Sequence, residues 1–237
     1  MATDGTAGLA RAAPASLFEG LKTAAASSWT AYTEHPFVQA LADGSLPETC
    51  FRHYLTQDYL FLIQFARAYG LAVFKADGLA DIRHAAAGLS AMIDQEMGLH
   101  VAYCRRWQLE EAEMAATAEA DATIAYTRFV LERGLAGDLL DLYVALAPCI
   151  VGYAEIGRRL NQAPTTRMDD NPYRDWIEMY ASAEYQEVAA AHIVQMDRLM
   201  ERRGGPGRIA SLEAIFRQAT RLEEAFWQMG LAAASDS

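Results

Sequence analysis

Basic residues are scarce in this chain, which has 20 lysines and arginines against 31 aspartates and glutamates and a formal net charge of −11. Proteins that bind the phosphate backbone of nucleic acids usually present a stripe of basic residues. The closest approach to such a stripe is Arg202, Arg203 and Arg208, which a glycine-rich segment interrupts. Nucleic acid is therefore not expected to be a partner.

Cysteine is also scarce. The three cysteines, Cys50, Cys104 and Cys149, cannot all pair within one chain. Their wide spacing fits neither a disulfide framework nor a zinc site. A reducing compartment is the simplest interpretation of this pattern.

Long uninterrupted apolar runs are missing as well. Residues 1–15 have no apolar core of the kind that secretory signals need, so we predict a flexible leader there. The apolar run 139–153 contains Asp141 and Pro148 and falls short of the length of a membrane span. We therefore expect a cytoplasmic protein without a membrane partner.

The sequence shows no sustained two-residue alternation of apolar and polar side chains, the pattern that marks half-buried strands. Helical spacing dominates instead, and there is no long linker and no repeat of roughly 20–50 residues. These features predict an all-α protein with a single-domain helical bundle over residues 16–230. A flexible tail is predicted at residues 231–237.

Capping residues and helix breakers divide the predicted domain. Ser45 and Glu48 have the spacing of a capping box, and Asp138 follows a glycine as the expected cap of another helix. The predicted helices are Ser16 to about Tyr32, a short helix from Pro36, the helix opened by Ser45–Glu48 to about Lys75, Ala80 to about Trp107, Glu110 to about Leu135, Leu139 to about Asn161, a short helix from Asn171–Pro172 to Ala181, Ser182 to Arg203, and about Ser211 to Met229.

A carboxylate interrupts an aromatic helix face at Asp58. Tyr54, Asp58, Phe61 and Phe65 follow one another at steps of three and four residues and therefore share a face. A buried carboxylate costs several kcal/mol unless it has a partner. Either Asp58 forms a structural pair, with Gln57 or an arginine, or it binds an amine or ring N–H of a ligand.

Pro148 and Cys149 lie in the interior of an apolar helix. A proline at such a position removes a backbone hydrogen bond and presses on the carbonyl of Val144, which predicts a kinked or opened turn. This turn would aim Cys149, and Tyr153 one turn later, towards the bundle interior. Buried cysteine is commonly an inert small hydrophobe; the alternative is a nucleophile.

Glu223 shares a helix face with Phe226 and Trp227, whereas Glu224 can point to solvent. Large aromatic neighbours raise the pKa of a carboxyl group and suit it to proton transfer near neutral pH. The alternative is an ordinary solvated glutamate.

Several tyrosines, among them Tyr126, Tyr180 and Tyr185, offer aromatic faces with a polar end. Each taken singly is typical of a core residue with a satisfied hydroxyl. Combined with one thiol and two carboxyl groups, they suit a flat, nitrogen-rich heterocycle. The rings stack on it, a carboxylate pairs with its donors, a thiolate adds to an electron-poor carbon, and an acid protonates the leaving amine.

Five groups of motifs follow one another along residues 16–230. They are His35-Pro-Phe-Val-Gln39 with Asp43-Gly-Ser-Leu-Pro47 and Phe51-Arg-His-Tyr-Leu-Thr-Gln-Asp58; Glu96-Met-Gly-Leu-His100; Leu146-Ala-Pro-Cys149 with Tyr153-Ala-Glu155; Trp176-Ile-Glu-Met-Tyr180; and Glu223-Glu-Ala-Phe-Trp227. In order and approximate spacing this set resembles the TenA, or thiaminase II, family.

The resemblance implies a haem-oxygenase-like helical bundle that binds no haem and uses no other cofactor, usually assembled as a homotetramer. It implies a small-molecule pyrimidine substrate. The implied reaction hydrolyses 4-amino-5-aminomethyl-2-methylpyrimidine to the hydroxymethylpyrimidine in thiamine salvage, often together with cleavage of thiamine.

The resemblance also implies roles for particular residues. Cys149 matches the nucleophile, which places the chain in the cysteine-bearing branch of the family, and Glu223 matches the acid/base residue. Asp58 matches the carboxylate that binds the pyrimidine nitrogens. The matching pocket tyrosines are Tyr126, Tyr153 and Tyr180. Phe61 stands where many members have a tyrosine, so this substrate-binding position has no hydroxyl.

Parts of the sequence also fit other functions. Glu96 and His100 are spaced for a metal site on a helical bundle, as in a metal-dependent oxidase, but no second Glu-x-x-His or comparable pair accompanies them. We therefore expect no metal, and expect these two residues to hydrogen-bond in the core or at a subunit contact. A non-catalytic pyrimidine-binding or regulatory protein is the other alternative, and a phosphorylated or related amine-bearing heterocycle is an alternative substrate. The joint presence of the cysteine, glutamate and aspartate favours chemistry.

Overall fold

Helices build the whole of the described structure, as the sequence predicts. The computed structural model describes residues 16–234 and contains, within that range, twelve α-helices, one π-helical turn and no strand. The predicted leader at 1–15 lies outside the described residues. The helices are α1 (Leu17–Ala24), α2 (Ala26–Thr33), α3 (Pro36–Asp43), α4 (Glu48–Lys75), α5 (Leu79–Ala91), α6 (Met97–Arg106), α7 (Glu111–Ala116), α8 (Asp121–Ala136), α9 (Leu139–Gln162), α10 (Arg174–Ala181), α11 (Ala183–Arg203) and α12 (Ile209–Ala232), with the π-helical turn at Met92–Glu96 between α5 and α6.

Helix α9 forms the centre of the bundle and packs against α8, α10, α11 and α12. The predicted cap is confirmed: the side chain of Asp138 accepts hydrogen bonds from the amides of Leu140 and Asp141 at 2.9 and 3.1 Å. The helix continues unbroken through Pro148. The helix continues past the apolar run 139–153, and by length and composition alone its 24 residues could cross a membrane. Because 89% of its most apolar window is buried inside the fold, α9 has the environment of a core helix.

The predicted first helix is two helices. The chain leaves helical geometry at Ala25, where φ is −111° and ψ is 21°, and α2 starts at the next residue. No glycine or proline marks this break. The change of direction lets Trp29 pack edge-on against Phe18 at 5.5 Å and stack on Phe216 at 5.6 Å. Aromatic packing with α12 therefore accompanies a break that local propensity does not signal.

The predicted helix from Glu110 to Leu135 is also two helices, α7 and α8, and a buried glutamine lies at the break. Gln57 donates to the carbonyl of Ala118 at 2.9 Å and accepts from the amide of Ala120 at 2.8 Å. It also accepts from the hydroxyl of Thr123 at 2.8 Å. These bonds satisfy backbone groups that a continuous helix would otherwise pair.

The start of α4 differs from the prediction in its capping. Pro47 is the residue before the first turn and no side chain caps the helix. The predicted Ser45–Glu48 capping box is wrong, because Ser45 instead donates its amide to Asp43 in the preceding turn at 2.9 Å. The predicted span to Lys75 is confirmed.

The remaining helices follow the predicted order with shifted ends. His35 and Ser182 accept hydrogen bonds from the first turns of α3 and α11. The predicted helix from Ala80 to Trp107 contains the π-helical turn, which nothing in the sequence signals. The last helix extends past Met229 to Ala232, into the first residues of the predicted tail.

Candidate active site

Seven side chains were predicted to form the site, and five helices position them. All seven are buried, with at most 6% of any residue exposed. Asp58 and Phe61 lie on α4, Tyr126 on α8, Cys149 and Tyr153 on α9, Tyr180 on α10 and Glu223 on α12. Hydrogen bonds, ring contacts and electrostatic interactions connect them.

Asp58 has a partner different from the two that the sequence suggests. Its Oδ2 atom lies 2.6 Å from Nε2 of His100 on α6 and accepts the hydroxyl of Tyr54 at 3.0 Å. The predicted pairing with Gln57 or an arginine is therefore wrong. Gln57 is engaged at the α7–α8 break, as described above.

The contacts of His100 influence its charge. Nδ1 lies 2.6 Å from the carbonyl oxygen of Glu96, and Nε2 faces the carboxyl group of Asp58. A carbonyl oxygen only accepts hydrogen bonds, so Nδ1 carries a proton, and Nε2 is within hydrogen-bond distance of the Asp58 carboxyl group. Burial lowers the pKa of His100, but the charge of Asp58 and the two hydrogen bonds raise it more, and the net pKa is raised. The raised pKa favours the imidazolium form of His100 and a buried ion pair with Asp58.

Glu223 is buried and binds one tyrosine. The hydroxyl of Tyr126 donates to its Oε1 atom at 2.9 Å. Burial, together with the charges of Asp58 and Glu96, raises the pKa of Glu223 well above the ordinary value despite this hydrogen bond. Burial next to aromatic residues therefore favours the protonated form of this carboxyl group.

Cys149 lies within electrostatic reach of three carboxyl groups. Burial raises the pKa of its thiol, and the charges of Glu223, Glu96 and Asp58 raise it further. A thiolate was expected to attack the substrate, but in the free protein the sulfur is held as a thiol. Its proton must leave when the sulfur forms a bond.

Aromatic rings enclose the thiol and the carboxyl groups. Tyr153 lies 4.8 Å from Tyr180 and 5.2 Å from Trp227, centroid to centroid. Trp176 packs on Tyr180 at 4.6 Å and donates its indole N–H to the hydroxyl of Tyr54 at 3.3 Å. The indole nitrogen of Trp227 is buried and has no partner among the described residues. This enclosure has flat apolar faces and a donor that a ligand can use.

Phe61 contacts the aromatic part of this enclosure without adding a polar group. Its ring lies 5.0 Å from Phe65, 5.0 Å from Tyr126 and 5.5 Å from Phe226. The position therefore supports stacking, and Tyr126 is the one of these three neighbours that carries a hydroxyl.

Sequence reasoning did not include three polar residues among the site residues. His100 and Tyr54 hold Asp58, and Glu96 accepts the hydroxyl of Tyr180 at 3.3 Å. The expectation that Glu96 and His100 hydrogen-bond within the core is confirmed. Their four-residue spacing in the Glu96–His100 motif was the available signal, but it gave no indication that Asp58, 42 residues away, is the partner of His100.

Comparison with known proteins places this geometry in a family. The model of the TENA/THI-4/PQQC family matches residues 23–233. The chain belongs to that family. Its bundle is the all-helical, haem-oxygenase-like fold of TenA proteins.

Three similar proteins illustrate the relationship. An aminopyrimidine aminohydrolase of Halalkalibacterium halodurans is 39% identical, over 85% of this chain and 89% of its own. An aminopyrimidine aminohydrolase of Helicobacter pylori is 31% identical, over 86% and 94%. The crystal structure of a protein of Silicibacter sp. TM1040, described as a TenA family transcription regulator, is 43% identical and has a TM-score of 0.86, over 91% of this chain and 96% of that one.

Proposed function

We propose that this TenA-family protein is an aminopyrimidine aminohydrolase that releases ammonia from 4-amino-5-aminomethyl-2-methylpyrimidine in thiamine salvage. That the chain is a hydrolase acting on C–N bonds in thiamine metabolism follows from its aminopyrimidine aminohydrolase relatives. The observation that carries the finer proposal is the convergence of the Cys149 thiol with the carboxyl groups of Asp58 and Glu223 inside an aromatic enclosure.

The pyrimidine ring stacks among Tyr180 and its aromatic neighbours, which include Tyr153, and Asp58 receives its exocyclic amino group. The hydrogen bonds that Asp58 accepts from the described side chains both fall on Oδ2, so Oδ1 is the atom that accepts from the substrate. The hydrogen bond from His100 orients the Asp58 carboxyl group for this contact.

Cys149 forms a bond between its sulfur and an electron-poor ring carbon, and its thiol proton passes to a neighbouring carboxylate. Glu223 then gives its proton to the amino group on the exocyclic methylene, the C–N bond breaks and ammonia leaves. Water adds to the methylene carbon and returns a proton to Glu223. The carbon–sulfur bond breaks as the ring regains its aromaticity, and the sulfur recovers its proton.

The assay that tests this proposal measures ammonia release from the aminomethylpyrimidine beside cleavage of thiamine. Wild-type protein should release ammonia, and Cys149→Ser should lower turnover on the order of a hundredfold or more without unfolding the chain. Cys50→Ser is the matched control, because the Cys50 thiol is buried and donates to the carbonyl of Leu231 at 3.3 Å, an interaction that a serine hydroxyl can keep. Wild-type turnover in Cys149→Ser, or no ammonia from wild type, would refute the proposal.

Three further points belong to this proposal. We propose a cytoplasmic protein that assembles as a homotetramer and binds a small pyrimidine as its partner. Sedimentation equilibrium of the purified protein tests the assembly: a single species of four chains is expected, and a monomer contradicts it.

A further inference from the structure

A small cavity lies beside the proposed reacting groups. It is lined by Phe65 and Tyr69 of α4, Glu96 of the π-helical turn, Ile150 next to Cys149, and Tyr185 of α11. Its volume is about 10 Å³, which is the space that one water-sized group needs. An ammonium group has that size.

Two polar groups of this cavity are not used by the proposed chemistry. The Tyr185 hydroxyl is buried, with 2% of the residue exposed, and has no hydrogen-bond partner among the described residues. An unmet buried hydroxyl costs about 1–3 kcal/mol, and a ligand that forms a hydrogen bond with it would remove that cost. The Tyr185 hydroxyl interacts electrostatically with Glu96 and Cys149, and Glu96 and Tyr185 line the same cavity.

Glu96 is the second unused group. The hydroxyl of Tyr180 reaches its Oε2 atom at 3.3 Å, a long hydrogen bond. Burial and the charge of Asp58 raise the pKa of Glu96 to about 7, although His100 and Tyr180 act in the opposite direction. A nearby cation would favour the ionised carboxylate.

Among the described residues, the carboxyl group of Glu96 forms a hydrogen bond with Tyr180 and no ion pair with a lysine or arginine. Three carboxyl groups, those of Asp58, Glu96 and Glu223, act on the thiol of Cys149. The cation that faces them among the described residues is His100, which Asp58 engages. A substrate with a protonated primary amine would supply a positive charge there.

We propose that Glu96 and the Tyr185 hydroxyl form a subsite that receives the protonated aminomethyl group of the substrate. This subsite distinguishes a cationic pyrimidine from a neutral one. This inference rests on the proposed function and adds to it a determinant of substrate charge. The carboxylate pairs with the ammonium, and the tyrosine oxygen accepts one of its N–H groups. Before the C–N bond breaks, the ammonium passes one proton to Glu96, so the amine that Glu223 protonates is neutral.

The test compares the affinities of two ligands of nearly the same shape, the cationic aminomethylpyrimidine and the neutral hydroxymethylpyrimidine. Calorimetry uses Cys149→Ser protein, so that the amine is not consumed. Adding Glu96→Gln should weaken binding of the amine about tenfold or more, and should change binding of the alcohol less than about twofold. The matched control is Glu178→Gln, which removes a carboxylate that pairs with Arg174 on the surface of α10.

A second variant separates the subsite from a structural role. Tyr185→Phe removes a hydroxyl without a protein partner, so the melting temperature should hold or rise while affinity for the amine falls. Equal loss of affinity for both ligands in Glu96→Gln, or unchanged affinity for the amine in both variants, would overturn the subsite. If neither pyrimidine binds the Cys149→Ser protein, the proposed function itself fails, and the subsite with it.

Discussion

The ring of His100 and the carboxylate of Asp58 form a buried ion pair in which Nε2 and Oδ2 are 2.6 Å apart. The pair joins α4 to α6, two helices whose contact positions the proposed pyrimidine-binding carboxylate. Each charge of the pair stabilises the other, because either charge alone would be costly to bury in the protein interior.

Removing the imidazolium should destabilise the fold strongly. His100→Asn leaves the Asp58 carboxylate without its counter-charge, and the free energy of unfolding should fall by about 3–5 kcal/mol. Urea denaturation with and without the change provides the measurement. The double variant Asp58→Asn/His100→Asn should recover part of the loss, since no uncompensated charge remains. A double variant less stable than His100→Asn alone would contradict this view of the pair.

The pair should also make stability depend on pH. The pKa of His100 is raised in the folded protein. Its stabilising contribution is therefore complete below the unfolded value of about 6.5 and is lost as pH rises through the folded pKa. The melting temperature of wild type should decline from near-neutral to alkaline pH, and the double variant should decline less. If the melting temperatures of wild type and the double variant declined in parallel, His100 would not be the cause of the pH dependence.

Glu223→Gln should separate activity from stability. Turnover should fall about a hundredfold or more, because the proton donor is lost. The pKa of Glu223 is raised in the folded state, chiefly by burial. The folded protein therefore loses stability as pH rises, because the buried carboxyl group must then ionise. The variant should therefore melt at the same or a higher temperature than wild type, with a gap that widens with pH.

Glu224→Gln is the control for that experiment, since it removes the neighbouring carboxyl group, which is only partly buried. Its turnover should stay within about twofold of wild type. If Glu224→Gln lowered turnover as much as Glu223→Gln, net charge rather than proton donation would explain both.

Tyr126 should tune the acid. Its hydrogen bond to Glu223 lowers the pKa of that carboxyl group. Tyr126→Phe should thus raise the pKa further and move the alkaline limb of the kcat profile to higher pH. Tyr143→Phe is the matched control, because the Tyr143 hydroxyl is buried without a partner among the described residues. An unchanged alkaline limb in Tyr126→Phe would show that this tyrosine does not influence the pKa of Glu223.

Local signals in the sequence were sufficient for most helix starts. Asp138 and Ser182 cap α9 and α11 because each supplies a side-chain oxygen to nearby amides of its own segment. The break between α7 and α8 was not predictable in this way. It depends on Gln57, which is distant in sequence and reaches the break only after α4 has packed there.

The candidate site shows the same division. Polar residues on apolar helix faces singled out Asp58 and Glu223, and the mid-helix proline singled out Cys149. The partners of these residues depend on how helices pack, so His100 as the counter-ion of Asp58 and the thiol form of Cys149 became visible only in three dimensions.

The position of Tyr180 depends on a glycine of α9. A methyl group added at Gly157 would lie 2.6 Å from the backbone carbonyl carbon of Tyr180 and 2.9 Å from the amide nitrogen of Ala181. Backbone atoms cannot rotate away, so Gly157→Ala should push α10 outwards and lower the free energy of unfolding by about 1–3 kcal/mol. Affinity for the hydroxymethylpyrimidine should fall with it, since Tyr180 is a proposed stacking face.

Gly70→Ala on α4 is the control, because the added methyl has open space around it. This variant should instead stabilise the helix by about 0.5–1 kcal/mol, with affinity unchanged. Calorimetric titration and urea denaturation of the two variants would contradict this account if Gly157→Ala kept full affinity, because α10 could then move without disturbing the site.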